Sequence, residues 1–320
     1  MATSLISDFK IYDEQFQTGL VEKTAQNIDI FNERSNGCII MEARDILGHY
    51  EKRAITTLVA SLVSRRDNTS TADATAVKAA QDEAISVKLD RKIGPLDMTH
   101  AAISRIGTSA EAYSVALGAM VGAALVEAMV NSAIKALVAA ISGNTAVVYD
   151  VSTTEKLTSI NMIEAKALFG DRSEAIACWV LHSKPWHDLM KNQVAEGLDT
   201  VSGKIISGGN VSTFGRPYIV TQDASLVNSA KYYTLGLVPG ACRVTQSEMT
   251  KFISEWVTGK EQLVYRLQGE LSFNLDILGF RWDTANGGSN PTDGTLATTS
   301  NWDQYATSDK DTAGCAAYTL

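Results

Sequence analysis

The feature that most constrains the fold of this 320-residue chain is a long, almost uncharged stretch in its first half. Residues 109–142 read SAEAYSVALGAMVGAALVEAMVNSAIKALVAAIS, and their only charged side chains are Glu111, Glu127 and Lys135. A continuous helix over this stretch forms a rod of roughly 50 Å, at about 1.5 Å per residue. A helix that is apolar on most sides has to be buried, so the rest of the chain is expected to pack around it.

A stretch of this length can also cross a membrane. Most of its apolar residues, however, are alanine and glycine, which contribute little to insertion into lipid. Glu127 and Asn131 would lie deep in the bilayer, and neither a tryptophan belt nor a basic cluster flanks the segment. The sequence therefore predicts a helix buried within the protein, without membrane contact.

Local signals mark both ends of this helix and one special point along it. Thr108 and Glu111 have the spacing of a capping box, and Gly143 suits a left-handed C-cap. Gly118 and Gly122 form a GxxxG pair, which lets another backbone approach closely. In a soluble protein this pair predicts tight packing.

Before the rod, the sequence favours extended structure. Residues 1–37 have only weak periodicity and are expected to form an extended arm; their acidic residues argue against a signal peptide. The runs 55–63 and 85–89 read as strands on either side of a polar segment, 64–84. The pattern predicts a long hairpin that packs on something outside its own subunit.

After the rod, the pattern becomes mixed α/β. AVVYDVS (146–152) predicts a short strand, and NMIEAKALFGD (161–171) predicts a helix with Asn161 as its N-cap. AIACWVL (175–181) is a buried strand by its continuous apolar character. A second helix follows, with Ser183 at the N-cap position.

The stretch VLHSKPWHDLM (180–190) brings together the residue types of nucleophilic hydrolysis: His182, Ser183, His187 and Asp188. Neighbours on a helix point about 100° apart, so His187 and Asp188 do not face each other. No G-x-S-x-G elbow surrounds Ser183. We therefore predict a strand-to-helix corner, with no catalytic, cofactor-binding or metal-binding residue in the chain.

Cysteines and charge exclude further classes of function. Cys38, Cys178, Cys242 and Cys315 contain no CxxC pair, which disfavours a zinc site and suits free thiols in a reducing cytoplasm. The net charge is −8, and no basic block exceeds two adjacent residues. A protein that grips DNA needs clustered Lys and Arg. About half of the net charge lies after Trp282, where Lys310 is the only basic residue among five aspartates: Asp283, Asp293, Asp303, Asp309 and Asp311.

The order of these elements resembles the tailed-bacteriophage major capsid proteins of the Hong Kong 97-type fold. The resemblance rests on LFGDRSEAIACWVLHSKPWHDLMK (168–191), FGRPYIVTQD (214–223), YYTLGLVPGACRV (232–244) and FNLDILGFRWD (273–283), in this order after the rod. It implies an α+β fold with five regions. These are an N-terminal arm (1–37), an extended-loop region with its β-hairpin (38–107), a spine helix in a peripheral domain (108–142), an α/β axial domain (143–255) and the return strands of the peripheral domain with the C-terminal segment (256–320).

The resemblance also implies a structural role and not an enzymatic one. It implies pentamers and hexamers in an icosahedral shell around phage double-stranded DNA, which is bound without sequence specificity. The partners would be other copies of the chain, a separate scaffolding protein and the portal protein, and a decoration protein is left open. Assembly would take place in the host cytoplasm and the product would be the virion. Two alternatives remain at this point: an encapsulin-like nanocompartment and a Ser/His hydrolase.

Overall fold

The computed structural model describes residues 6–56, 65–66, 68–69, 73, 81–99, 110–199 and 216–320, which form two β-sheets around one long helix. That helix, α2 (Ala110–Gly143), confirms the predicted rod to within a residue at each end. Thr108, and with it the predicted capping box, lies outside the described residues. In the second half of α2, Ala133, Ile134 and residues 136–141 are almost completely buried. An apolar helix that is buried on most sides is a core helix and needs no membrane.

The predicted left-handed cap at Gly143 is wrong. Gly143 is the last residue of α2 and does not have a positive φ. A β-carbon at this position would lie 3.1 Å from Cγ2 of Thr299, so the glycine serves a close approach between segments. The chain leaves the helix through Asn144, whose side chain accepts a hydrogen bond from the Ala146 backbone N–H at 3.0 Å.

The expectation of an extended N-terminal arm is also wrong, because residues Ile6–Arg34 form helix α1. Gly118 of α2 faces Phe16 and Leu20 of α1, and Gly122 faces Leu20 and Thr24. Because the residue numbers of α1 and α2 increase in the same direction along this contact, the two helices run parallel. A β-carbon on Gly118 would lie 2.3 Å from the carbonyl oxygen of Phe16. The GxxxG pair is therefore the point at which α1 packs closely on α2, which confirms the predicted tight packing.

The larger sheet contains seven strands and includes the predicted hairpin. Its strands are β1 (Ile39–Ala43), β2 (Tyr50–Thr56), β3 (Gln81–Thr99), β9 (Cys242–Val257), β10 (Val264–Ile277), β11 (Phe280–Trp282) and β12 (Trp302–Gln304). β2 and β3 pair antiparallel from Tyr50↔Val87 to Thr56↔Gln81, which confirms the hairpin. Most of its tip, including 57–63 of the predicted first strand, lies outside the described residues.

The hairpin is anchored in the sheet and does not stand alone. The other edge of β3 pairs with β10 from Leu275↔Val87 to Val264↔Thr99. Side chains on one face of these strands are buried, among them Val87, Leu89 and Phe273, and α2 packs against β9 and β10. This shared core fixes the base of the hairpin to the long helix.

The smaller sheet contains six strands in the order β4-β13-β8-β5-β6, with β7 beside β8. The strands are β4 (Val148–Asp150), β5 (Cys178–His182), β6 (Tyr218–Thr221), β7 (Val227–Asn228), β8 (Lys231–Leu237) and β13 (Gly314–Thr319). Helix α3 (Ser159–Ala167) packs on β4 and β13, and helix α4 (Ser183–Asp199) packs on β5 and β6. The cap of α3 is Thr158 and not the predicted Asn161, because Thr158 Oγ1 accepts from the Asn161 N–H at 3.2 Å.

The two sheets divide the chain differently from the predicted regions. β9 begins at Cys242 and belongs to the seven-stranded sheet, so the expected boundary at residue 255 falls inside one strand. The final strand, β13, returns to the six-stranded sheet and pairs with β8. The Tyr318 hydroxyl of β13 donates to Oγ of Ser142 at the end of α2, at 2.6 Å. The long helix thus supports both sheets.

The acidic C-terminal segment is matched by basic side chains elsewhere in the chain. Asp293, in the short helix α5 (Asp293–Leu296), contacts Arg91 of β3 at 2.5 Å and Lys135 of α2 at 3.1 Å. Asp311 pairs with Arg172, and Lys310 pairs with Asp171. Each exposed pair contributes little alone, so their role is to fix the position of the segment more than to add stability.

Candidate functional site

The stretch 180–190 forms a strand-to-helix corner, as predicted, but its cap is a different residue. His182 ends β5, and its Nδ1 accepts a hydrogen bond from the backbone N–H of Lys184 at 3.2 Å. Ser183 is already the first residue of α4, so its predicted role as N-cap is wrong. The His182 ring also contacts the Tyr232 ring, with 5.4 Å between centroids. His182 therefore caps the N-terminus of α4 and packs against Tyr232 of the sheet.

The remaining polar residues of the corner do not form a catalytic unit. Asp188 is buried, and Oδ2 accepts from Nζ of Lys184 at 2.8 Å, which raises the pKa of that lysine. Nζ of Lys191 lies 4.0 Å from Oδ1 of the same carboxylate. His187 is exposed on the helix surface. Among the described residues no carboxylate holds a histidine beside Ser183, so the nucleophile–base–acid arrangement of a hydrolase is missing.

The pKa of His182 is lowered by burial of the imidazole. A histidine with a lowered pKa in the folded state destabilises the fold as the pH falls below its unfolded value of about 6.5, because the unfolded chain then binds the proton more readily. Protonation of Nδ1 would also remove the acceptor that caps α4.

We therefore expect wild-type protein to lose thermal stability between pH 7.5 and pH 5.5 relative to His182→Asn. Asparagine keeps a capping oxygen but does not titrate. His182→Ala should cost about 1 kcal/mol at pH 7.5, the usual value of a lost N-cap. Thermal denaturation of the three proteins at both pH values measures this, and equal pH dependence in wild type and His182→Asn would contradict it.

The four cysteines are buried, free and close to the junction of the two sheets. The Cys242 N–H donates to the carbonyl of Cys38 at 3.1 Å, and the Cys38 thiol donates to the carbonyl of Leu237 at 3.5 Å. A hydrogen bond with Cys178, followed by burial, raises the pKa of Cys38, and burial raises the pKa of Cys315 to about 12. Thiols in this state are poor nucleophiles, which fits a packing role.

Within the described part of the chain, no three His, Cys, Asp or Glu side chains are grouped as metal ligands. His49 is exposed, and His100 lies outside the described residues. A cleft between α3 and α4 is lined by Thr158, Asp188 and Lys191, without a nucleophile beside a base. Nothing in this geometry supports turnover, and the features that distinguish the molecule are its packed rod, its anchored hairpin and its exposed surfaces.

Comparison with known structures identifies the fold. The chain is similar to a chain of the cyanophage Pam1 capsid asymmetric unit, with a TM-score of 0.52, 10% identity and 85% of both chains covered. It is also similar to a chain from Mycobacterium phage Bobi, with a TM-score of 0.51, 13% identity and 88% of both chains covered. A chain from Mycobacterium phage Cain matches with a TM-score of 0.50 and 10% identity, over 74% of this chain and 82% of the other. No curated protein sequence matches this chain.

At these identities the structures show a shared α+β fold alone. The family model described as Gp13-like, major capsid protein 13-like, is more specific, since it matches residues 8–316 and so spans both sheets, both long helices and the hairpin. A match to a family of major capsid proteins indicates a structural protein and not an enzyme, so the hydrolase alternative is wrong. The chain belongs to the Gp13-like major capsid protein family, which confirms the predicted major capsid protein.

Proposed function

We propose that this major capsid protein assembles into pentamers and hexamers, which close into an icosahedral shell around phage double-stranded DNA. The observation that carries the proposal is the likeness of the whole fold to a capsid subunit, over 85% of both chains. A shell subunit needs rigid rods and surfaces that contact neighbours more than it needs pockets. The buried helix α2, with α1 packed along it, supplies the rod. The β2–β3 hairpin, whose base pairs with β10, supplies a surface that can extend to a neighbour.

We further propose that the two sheets are the axial and peripheral domains of a capsid subunit, with bounds that differ from the predicted regions. The six-stranded sheet with α3 and α4 would be the axial domain at the centre of a capsomer. The seven-stranded sheet with α1 and α2 would be the peripheral domain, and the β2–β3 hairpin would be the extended loop. The pairing of β3 with β10 supports this assignment, because it joins the base of the loop to the sheet that packs against α2.

The partners and location are part of the same proposal. Other copies of the chain, a separate scaffolding protein and the portal protein would take part in assembly within the host cytoplasm, and the product would be the virion. The net charge of −8 supports a container that holds DNA without gripping it. The buried, free cysteines agree with folding in a reducing compartment.

Negative-stain electron microscopy of the expressed chain, alone and with the scaffolding protein of its phage, tests this proposal. We expect closed shells of uniform diameter. Particles purified from infected cells should contain nuclease-protected DNA, whereas an encapsulin-like nanocompartment would contain protein cargo. Protein cargo without DNA in these particles would overturn the proposed role as a genome container.

A further inference from the structure

Two exposed apolar surfaces lie on the six-stranded sheet and the helices that pack on it, α3 and α4. The first, which we call the α3 stripe, consists of Ile160, Ile163, Ala167 and Leu168. Ile160 is 62% exposed and Ile163 is 48% exposed, while Met162 and Ala165 on the opposite side of the helix are buried. Residues 160, 163 and 167 follow the helical spacing of one face, so this face points away from the core. Large apolar side chains grouped in this way mark interaction sites more often than scattered ones.

The second surface, which we call the β6 patch, consists of Tyr218, Val220, Trp186 and Met190. Tyr218 is 45% exposed, and its ring stacks on Trp186 of α4 with 4.2 Å between centroids. Val220 lies two residues further along β6 and Met190 one turn further along α4, and each is 38% exposed. The stacked aromatic pair gives this patch a rigid centre of the kind that anchors protein interfaces.

The two surfaces lie near opposite ends of the strand order of the same sheet. Helix α3 packs on β4 and β13, whereas α4 packs on β5 and β6. The strand order β4-β13-β8-β5-β6 separates the outer strands by four spacings, which is about 19 Å at about 4.8 Å per spacing. The α3 stripe and the β6 patch of one subunit therefore cannot cover each other.

The charges beside the two surfaces are of opposite sign. Glu164 is exposed next to the α3 stripe and forms no ion pair with any described residue. Beside the β6 patch, Lys184 and Lys191 share the single carboxylate of Asp188, which leaves one positive charge in excess. His187 is exposed on the same helix. Contact between the two surfaces would bring Glu164 towards this positive charge, whereas contact of either surface with its own copy would oppose like charges.

We propose that the α3 stripe of one copy docks on the β6 patch of the next copy, and that this head-to-tail contact closes the ring of a capsomer. The inference rests on the proposed function, because the proposed capsomer supplies the closed ring of identical subunits in which the two surfaces meet. A contact between different patches of identical chains generates a closed ring when the rotation between subunits closes. The occupant of each surface is therefore a second copy of this chain.

Disulfide trapping tests this contact. The four native thiols are buried, so background crosslinking by the oxidant diamide is low. Shells of the double variant Ile163→Cys/Tyr218→Cys, assembled under reducing conditions and then oxidised, should give a ladder of covalent oligomers ending at five and six chains on a denaturing gel. We expect at least tenfold more oligomer than in either single variant. The variant Ile163→Cys/Glu261→Cys, whose second thiol lies in the turn between β9 and β10 of the other sheet, should give no such ladder.

Each outcome is informative. Dimers from Ile163→Cys alone would show that α3 meets its own copy and would overturn the head-to-tail contact. A second pair, Ala167→Cys/Val220→Cys, covers the case in which the first pair prevents assembly, and absence of a ladder from both pairs overturns the assignment. If wild-type protein forms shells but neither double variant gives a ladder, this inference alone is wrong, whereas absence of wild-type shells would overturn the proposed function.

Discussion

Replacing Gly118 with alanine should lower the free energy of unfolding by about 1–3 kcal/mol, the usual cost of overpacking. The direction is opposite to helix propensity, which favours alanine over glycine by about 1 kcal/mol. The new β-carbon would lie 2.3 Å from the backbone carbonyl oxygen of Phe16, and no side-chain rotation can relieve such a contact. Helix α1 must shift, and Phe16 and Leu20 would lose part of their burial.

The matched control is Gly294→Ala in helix α5. A β-carbon at Gly294 meets no atom closer than 3.9 Å, so this variant should be as stable as wild type or slightly more stable. Chemical denaturation of the two variants and of wild type measures the difference. If Gly118→Ala were as stable as Gly294→Ala, the close packing of α1 on the GxxxG pair would be contradicted.

The second large effect concerns the hairpin. Thr56 and Gln81 form the last described pair of β2 and β3, so residues 57–80 can be replaced with Asn-Gly, a two-residue turn suited to this position. The shortened chain should keep its folded core, because every described β2–β3 pair remains. It should lose stable shells, since the segment proposed to lie on the neighbouring subunit is gone. Circular dichroism and electron microscopy of the same sample separate folding from assembly.

Limited proteolysis provides a second measurement of the same segment. Arg65 and Arg66 are exposed in the isolated chain. Trypsin should cut there first in unassembled protein, and at least tenfold more slowly in shells, where the neighbouring subunit would cover the site. Normal shells from the shortened chain, or equal cleavage rates in both states, would show that this segment makes no contact between subunits.

The parts of the fold that sequence reasoning predicted are those with strong local signals. The almost uncharged run 109–142 predicted a buried helix, because a helix that is apolar on most sides has to be covered, and its alanine-rich composition disfavours lipid. The alternation around Val87 specified a strand, and the polar segment before it specified a hairpin. These signals depend on a few neighbouring residues, and tertiary contacts reinforced them.

The errors arose where a distant partner decides the local structure. Helix α1 has no strong amphipathic pattern, and its conformation follows from its contact with Gly118 and Gly122, about a hundred residues away. Phe16 and Leu20 carry the spacing that could have revealed it. The cap of α4 is His182 and not Ser183, because the ring of this last strand residue accepts from the N–H of Lys184, the second residue of the helix. The assignment of β9 and β13 to different sheets is a property of topology that no local motif encodes.

Sedimentation velocity of the purified chain, with and without the scaffolding protein of its phage, tests the central claim most directly. If the chain builds a shell, most of it should sediment with scaffolding as a narrow population far heavier than the 34.4 kDa subunit. Discrete rings of five or six chains should be present without it. If the wild-type chain is folded but remains a monomer under both conditions, the account is contradicted.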